Sequence, residues 1–233
     1  MNIYNDGLYL KSNKNWHMED SPYKAKLVGD VLGSLPAIKS VVEVGCGAGE
    51  IIHILSQQFP DLQFYGYDIS GDAAVFWTNK ASPNLSYHQG NILESDLLVD
   101  AILCLDVFEH IEDYMGFLKN LKQHGSYIIF NVPMDMCVVK LLANGLRYAR
   151  ENVGHLHYFN EWSAKATLLD CGYEIVEARL SPAFLKVPPR SLKQFLAAIP
   201  RVLSHFILGS SLACKLFGGY GLIVTTKVPS HQS

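Results

Sequence analysis

The sequence predicts an α/β fold around a doubly wound, mostly parallel sheet. Strand-like and helix-like stretches alternate from residue 20 onward, the pattern of βαβ crossovers. The first strand runs into a glycine cluster, Gly45, Gly47 and Gly49, where the chain must turn sharply into a helix. An acid, Asp68, closes the second strand, on the sheet edge where such folds bind ligands.

Taken in order, Ser21-Pro22 opens a helix to about Leu35, with Ser21 as cap and Pro22 in the first turn. The β-branched run Ser40–Val44 is the first strand, and Glu50–Phe59 is a helix with Ile51, Ile52, Ile54 and Leu55 on its inner side. Gln63–Tyr67 is the second strand. A helix over Asp72–Lys80, strands over Leu85–His88 and Ala101–Leu105, a helix over Asp113–Lys122 and a strand over Ser126–Val132 continue the alternation. Beyond Pro133 the pattern loosens. Asn160–Asp170 reads as a helix ended by Gly172, and Tyr173–Leu180 as a strand. A Pro-rich apolar stretch, 181–219, precedes the last strand, Tyr220–Lys227. With no repeat or linker evident, one domain is expected over 1–233: an N-terminal lid and helix (1–38), a ligand-binding core (39–135) and substrate-side elements with the apolar insert (136–233).

Composition narrows the function. Apolar residues make up 49% of the 233 and charged residues 18%, enough for a sizeable core and against general disorder. A formal charge of −3 and short, scattered Lys/Arg clusters argue against nucleic acid as a partner. The five cysteines, at 46, 104, 137, 171 and 214, form no C-x-x-C pair, so neither a zinc knuckle nor a redox motif is expected. The N-terminal stretch lacks an apolar signal core, and a cytoplasmic, reducing location is the expectation.

The glycine turn and Asp68 suit an adenosine-containing ligand, since an acid at the end of the second strand reaches the hydroxyls of a ribose. Read as G-x-G-x-x-G from Gly45, the third glycine falls on Glu50. An acidic side chain opening that helix sits poorly beside a pyrophosphate, which favours a ligand without one.

Glu43-Val44-Gly45-Cys46-Gly47-Ala48-Gly49-Glu50 resembles the first motif of class I S-adenosylmethionine-dependent methyltransferases, and Tyr65–Ser70 resembles the acidic loop after their second strand. The segment 105–113, LDVFEHIED, is similar to the end of their fourth strand, and Gly90-Asn91-Ile92 stands where Gly-Asp-x is usual. The resemblance implies a Rossmann-like, seven-stranded sheet whose last strand is antiparallel. It also implies S-adenosylmethionine as cofactor, with Asp68 on the ribose and Ile69 and Ile92 at the adenine. Asn91 would face the adenine amino group, with one carboxylate fewer than the usual Asp. Asp106, Val107 and the backbone of Gly45, Cys46, Gly47 and Gly49 would surround the methionine end, and Glu43 would steady the glycine loop through backbone amides.

A narrower resemblance joins residues 15–25 and 154–159 to methyltransferases of bacterial cell-surface polysaccharide synthesis, implying a sugar hydroxyl acceptor. The acceptor expected is therefore a small molecule or a glycan, methylated on oxygen. A hydroxyl is a poor nucleophile, and His110, His155 and His157 are the candidate bases. The i, i+2 spacing of His155 and His157 could suit a metal, but no third ligand stands out, and none is assigned. Trp16, Tyr23 and Phe108 are aromatic residues near the expected sulfonium; Trp16 and Phe108 are the lid candidates, with core packing the competing reading for Tyr23 and Phe108.

Val202–Cys214 is 13 residues without a charge, too short to span a membrane. It is expected to be a buried helix capping the active site or forming a homodimer face, with Pro200 breaking or kinking the helix at its start; contact with a lipid-linked glycan at a membrane is the competing reading. Two other classes compete with methyl transfer: an NAD- or nucleotide-sugar-dependent oxidoreductase, disfavoured by Glu50 and the 105–113 segment, and a non-catalytic adenosyl-binding protein.

Overall fold

Ser40–Val44 is β1 of a seven-stranded sheet in the computed structural model, which describes residues 18–189 and 191–229. On one side β1 pairs in parallel with β2 (Gln63–Asp68), which pairs with β3 (Leu85–Gln89). On the other it pairs in parallel with β4 (Val99–Leu105), itself beside β5 (Gly125–Pro133). β7 (Gly221–Lys227) lies antiparallel between β5 and β6 (Glu174–Ser181), as the resemblance implied. The order β3-β2-β1-β4-β5-β7-β6 reverses direction between β1 and β4, so their carboxyl ends splay apart into the crevice where doubly wound sheets bind ligands.

β1, β4 and the central part of β5 are buried because helices cover both faces. Successive strand residues serve opposite cores, as the two-residue period requires. Val42, Ile102 and Ile128 face Phe108, Leu118 and Leu168, whereas Val41, Leu103 and Ile129 face Ala25, Val28, Ile52 and Leu55. The second group comes from α1 (Ser21–Leu32), with Pro22 in its first turn, and α2 (Glu50–Gln58).

The stretch expected as a helix over 72–80 shortens to α3 (Gly71–Ala74) and one 3-10 turn, Val75–Trp77. There the Trp77 indole turns back to donate to the Gly47 carbonyl at 2.8 Å and stacks on Tyr87. Further on lie α4 (Tyr114–Leu121), α5 (Val138–Leu142), α6 (Gly145–Tyr148) and α7 (Glu161–Asp170), the last opened by a reciprocal Asn160–Ser163 capping box.

The apolar insert departs furthest from expectation. It forms α8 (Leu192–Phe217), which runs through Pro200 and is broken instead at Gly209, whose φ of 78° lies in the left-handed region. It is no buried helix: Phe206 and Ile207 are each 75% exposed, and only an inner side carrying Ser204, Ala213 and Cys214 is covered. By length and composition alone, Gln194–Phe217 could cross a membrane, so the 13-residue charge-free run understates the apolar element.

Candidate active site

The turn after β1 is left-handed at three glycines, with φ of 67° at Gly45, 52° at Gly47 and 72° at Gly49. A Cβ on Gly45 would lie 2.8 Å from the Val107 side chain, so the two strand ends approach as closely as they do only because Gly45 has none. The Gly47 amide donates to Asp68 Oδ2 at 2.7 Å and the Ser70 amide to Oδ1 at 2.8 Å. With the Ile69 amide also bonded to this carboxylate, its two oxygens still keep acceptor capacity for a further donor, such as a ribose hydroxyl. Burial pushes the Asp68 carboxyl up, and these amides hold it back only partly.

Glu43 points inward beneath the turn, 2% exposed, and accepts from the Ile52 amide at 3.2 Å, tying β1 to α2. Burial pushes its carboxyl up to about 8. Gly49, expected at the ligand, instead lies behind the wall: a Cβ there would meet Tyr87 at 2.4 Å, and the Tyr87 hydroxyl donates to its carbonyl. Glu50 pairs with Lys80 at 2.7 Å, so its charge is compensated and discriminates against a pyrophosphate less than its sequence position suggests.

A cavity of about 1240 Å³ opens over the carboxyl ends of β1, β2 and β4. A typical small-molecule site occupies roughly 300–1,000 Å³, so there is room here for two reactants side by side. The cavity lining includes Glu43, Gly45, Cys46, Gly47, Asp68 and Ile69, and also Asn91, Ile92, Asp106 and Val107. The Asn91 side chain is turned to local work, accepting from the Leu93 amide and donating to Glu94. Asp106 has a φ of 55°, a strained value for a residue with a side chain, and is held there by Lys24 and by the Asn131 amide at 2.7 Å. Asp106 and its neighbours more than offset the cost of burying Lys24, whose ammonium is held above its ordinary range.

The lining of the same cavity also includes His110, His155 and His157. The Glu109 carbonyl accepts from the amides of Leu156 (2.8 Å) and His157 (3.0 Å), which clamps the loop after the π-helical turn Ala149–Val153 onto the turn after β4. That clamp brings the His110 and His155 rings edge to face at 4.8 Å. His110 Nδ1 meets the Gly154 carbonyl at 3.0 Å, and His155 Nδ1 meets the Asp135 carboxylate. His157 Nε2 meets the Ile111 carbonyl at 3.0 Å, with its ring against Tyr114, so the two loop histidines serve different partners. Burial, with His155 alongside, pulls His110 down to about 4. Against the upward push of burial, His155 and Lys140 hold the Asp135 carboxyl below its ordinary range.

Phe108 is not a lid. It is fully buried and packs edge-on against Phe130 and Phe159, because the 3-10 turn Phe108–His110 points it into the core and His110 toward the cavity. Trp16 lies outside the described residues. Sequence reasoning missed Lys24, Asn131 and Asp135, which carry no local motif, and Glu109, which stands inside the 105–113 segment.

Residues 16–178 match the family described as a methyltransferase domain. The ubiquinone biosynthesis O-methyltransferase of Rickettsia typhi is 36% identical over 87 residues, covering 36% of this chain and 35% of that protein. The trans-aconitate 2-methyltransferase of Deinococcus radiodurans is 30% identical over 98 residues, 41% of this chain and 38% of that protein. The chain thus matches little more than a third of the length of these relatives. In fold, it resembles the magnesium protoporphyrin IX methyltransferase of Synechocystis PCC 6803, solved with S-adenosylhomocysteine, with a TM-score of 0.58 at 18% identity over 97% of this chain and 91% of that one.

Proposed function

The chain belongs to the class I, S-adenosylmethionine-dependent methyltransferases, and from that premise we propose that it methylates a hydroxyl of a small-molecule acceptor. The observation that carries the acceptor reading is one cavity whose lining includes both the glycine turn with Asp68 and three histidines. The two curated relatives are named for ubiquinone biosynthesis and for trans-aconitate, which favours a small molecule over the glycan that residues 154–159 suggested.

When bound, S-adenosylmethionine supplies a methyl group on a sulfonium, and the bonding pair returns to sulfur as the methyl leaves. The chain's own part is to align, desolvate and take a proton. In our reading Asp68 receives the ribose hydroxyls on its remaining lone pairs, and Gly45 and Gly47 leave the backbone bare for the methionine end. Asp106, fixed by Lys24 and Asn131, receives the amino group of that end. His110 is a poor base, because an imidazole held near 4 gains little by taking a proton at neutral pH. His157 is the better acceptor: with Nε2–H donated to the Ile111 carbonyl, Nδ1 carries the lone pair.

Transfer of labelled methyl from S-adenosylmethionine to a panel of phenolic hydroxyls, sugar hydroxyls and tricarboxylates tests this. Turnover on phenolic hydroxyls, reduced at least about tenfold in His157→Asn, is the expected result. Turnover confined to sugars or to carboxylates such as trans-aconitate would overturn the acceptor reading.

A further inference from the structure

Two cavity-lining histidines, His110 and His155, and the fully buried Glu109 form a cluster that methyl transfer alone does not need. One ligating atom each from Glu109, His110 and His155 lies within 4.8 Å of the others. Glu109 is fully buried, and among the described residues neither of its carboxylate oxygens accepts a hydrogen bond. A buried carboxylate without a donor costs several kcal/mol unless something cationic or protic meets it. The nearby ammonium groups are committed elsewhere, Lys24 to Asp106 and Lys140 to Asp135.

The histidines are oriented as metal ligands are. His155 gives Nδ1 to a carboxylate, that of Asp135, and His110 gives Nδ1 to a backbone carbonyl, that of Gly154. These are the outer partners that fix the tautomer of a ligating imidazole. His110 Nε2 lies 3.9 Å from Glu109 Oε1.

We propose that Glu109, His110 and His155 bind a divalent transition-metal ion at the acceptor end of the cavity. Two imidazoles and one carboxylate suit zinc, cobalt or iron, whereas magnesium and calcium prefer oxygen ligands throughout. Ligand atoms in a tetrahedral shell with bonds of roughly 2.1 Å stand about 3.4 Å apart, so the atoms here, within 4.8 Å of one another, close by at most about 1.4 Å on binding. Three protein ligands leave a coordination position open, as catalytic sites do. Resting on the methyl-transfer reading, that position would take the acceptor hydroxyl, and the ion would lower its pKa so that the proton passes to His157 before the oxygen attacks the methyl carbon.

The test titrates the chelator-stripped full chain with Co²⁺, following visible d–d absorption and calorimetry, with S-adenosylhomocysteine affinity as the check on folding. One Co²⁺ per chain is expected, displaced by Zn²⁺. Asp135→Asn should weaken Co²⁺ by about 10–100-fold, since an outer partner is lost, and Glu109→Gln by more, both with S-adenosylhomocysteine affinity kept. Absence of saturable Co²⁺ binding by the wild type, or equal binding by Glu109→Gln, would overturn the site. Co²⁺ binding as expected in a chain that methylates no hydroxyl would support the site and refute the acceptor reading instead.

Discussion

Replacing Glu43 by Gln removes a titratable group from beneath the glycine turn while keeping its shape and its capacity to accept from the Ile52 amide. In the folded chain the Glu43 carboxyl is pushed from 4.5 up to about 8, chiefly by burial. Between those values the native state holds a proton that the unfolded chain has released. The contribution of the group is therefore fully present below pH 4.5 and is lost as pH rises through 8. The slope is about 1.4 kcal/mol per pH unit, and over the interval from 4.5 to 8 the loss is on the order of 5 kcal/mol. The variant has no such loss. Glu109 and every other titrating group are shared, so they cancel in the difference. Urea unfolding at pH 5, 6.5 and 8 reads it directly: the two proteins should be similar at pH 5, with Glu43→Gln gaining steadily toward pH 8. A difference that stays constant across this range would refute the reasoning, because Glu43 would then be ionised in the folded chain.

Gly49→Ala should lower stability by about 2–4 kcal/mol, from the φ of 72° and the 2.4 Å approach to Tyr87, and an unchanged Tm would refute the packing role. Phe108→Ala should cost about 3–5 kcal/mol, as for any fully buried aromatic; a stable variant with impaired acceptor binding would restore the lid reading. Asn160→Ala should cost about 1 kcal/mol through the lost capping box, measured by thermal unfolding, and no shift would mean that α7 is fixed by packing alone.

Elements whose signals are local were legible in the sequence. Ser40–Val44 declared itself as a strand by its β-branched run, and Asn160 marked the start of α7. The glycine turn and Asp68 were legible because left-handed backbone and a strand-end acid leave residue-type signatures. Asp135 and Lys24 were not, since each acts on a partner tens of residues away and no short motif records such contacts. Phe108 misled because the sequence places it near the cofactor but cannot say which way a 3-10 turn points it. The helix through Val202–Cys214 misled for a related reason: an apolar run shows that water is disfavoured, not what covers it.

Calorimetric titration with S-adenosylmethionine and with NAD, on the wild type and on Asp68→Ala, tests the central claim most directly. The wild type should bind S-adenosylmethionine and not NAD. Asp68→Ala should lose at least about tenfold in affinity, roughly the 1.5–3 kcal/mol of hydrogen bonds to a charged group. Binding of NAD in preference, or undiminished S-adenosylmethionine binding by Asp68→Ala, would contradict the account.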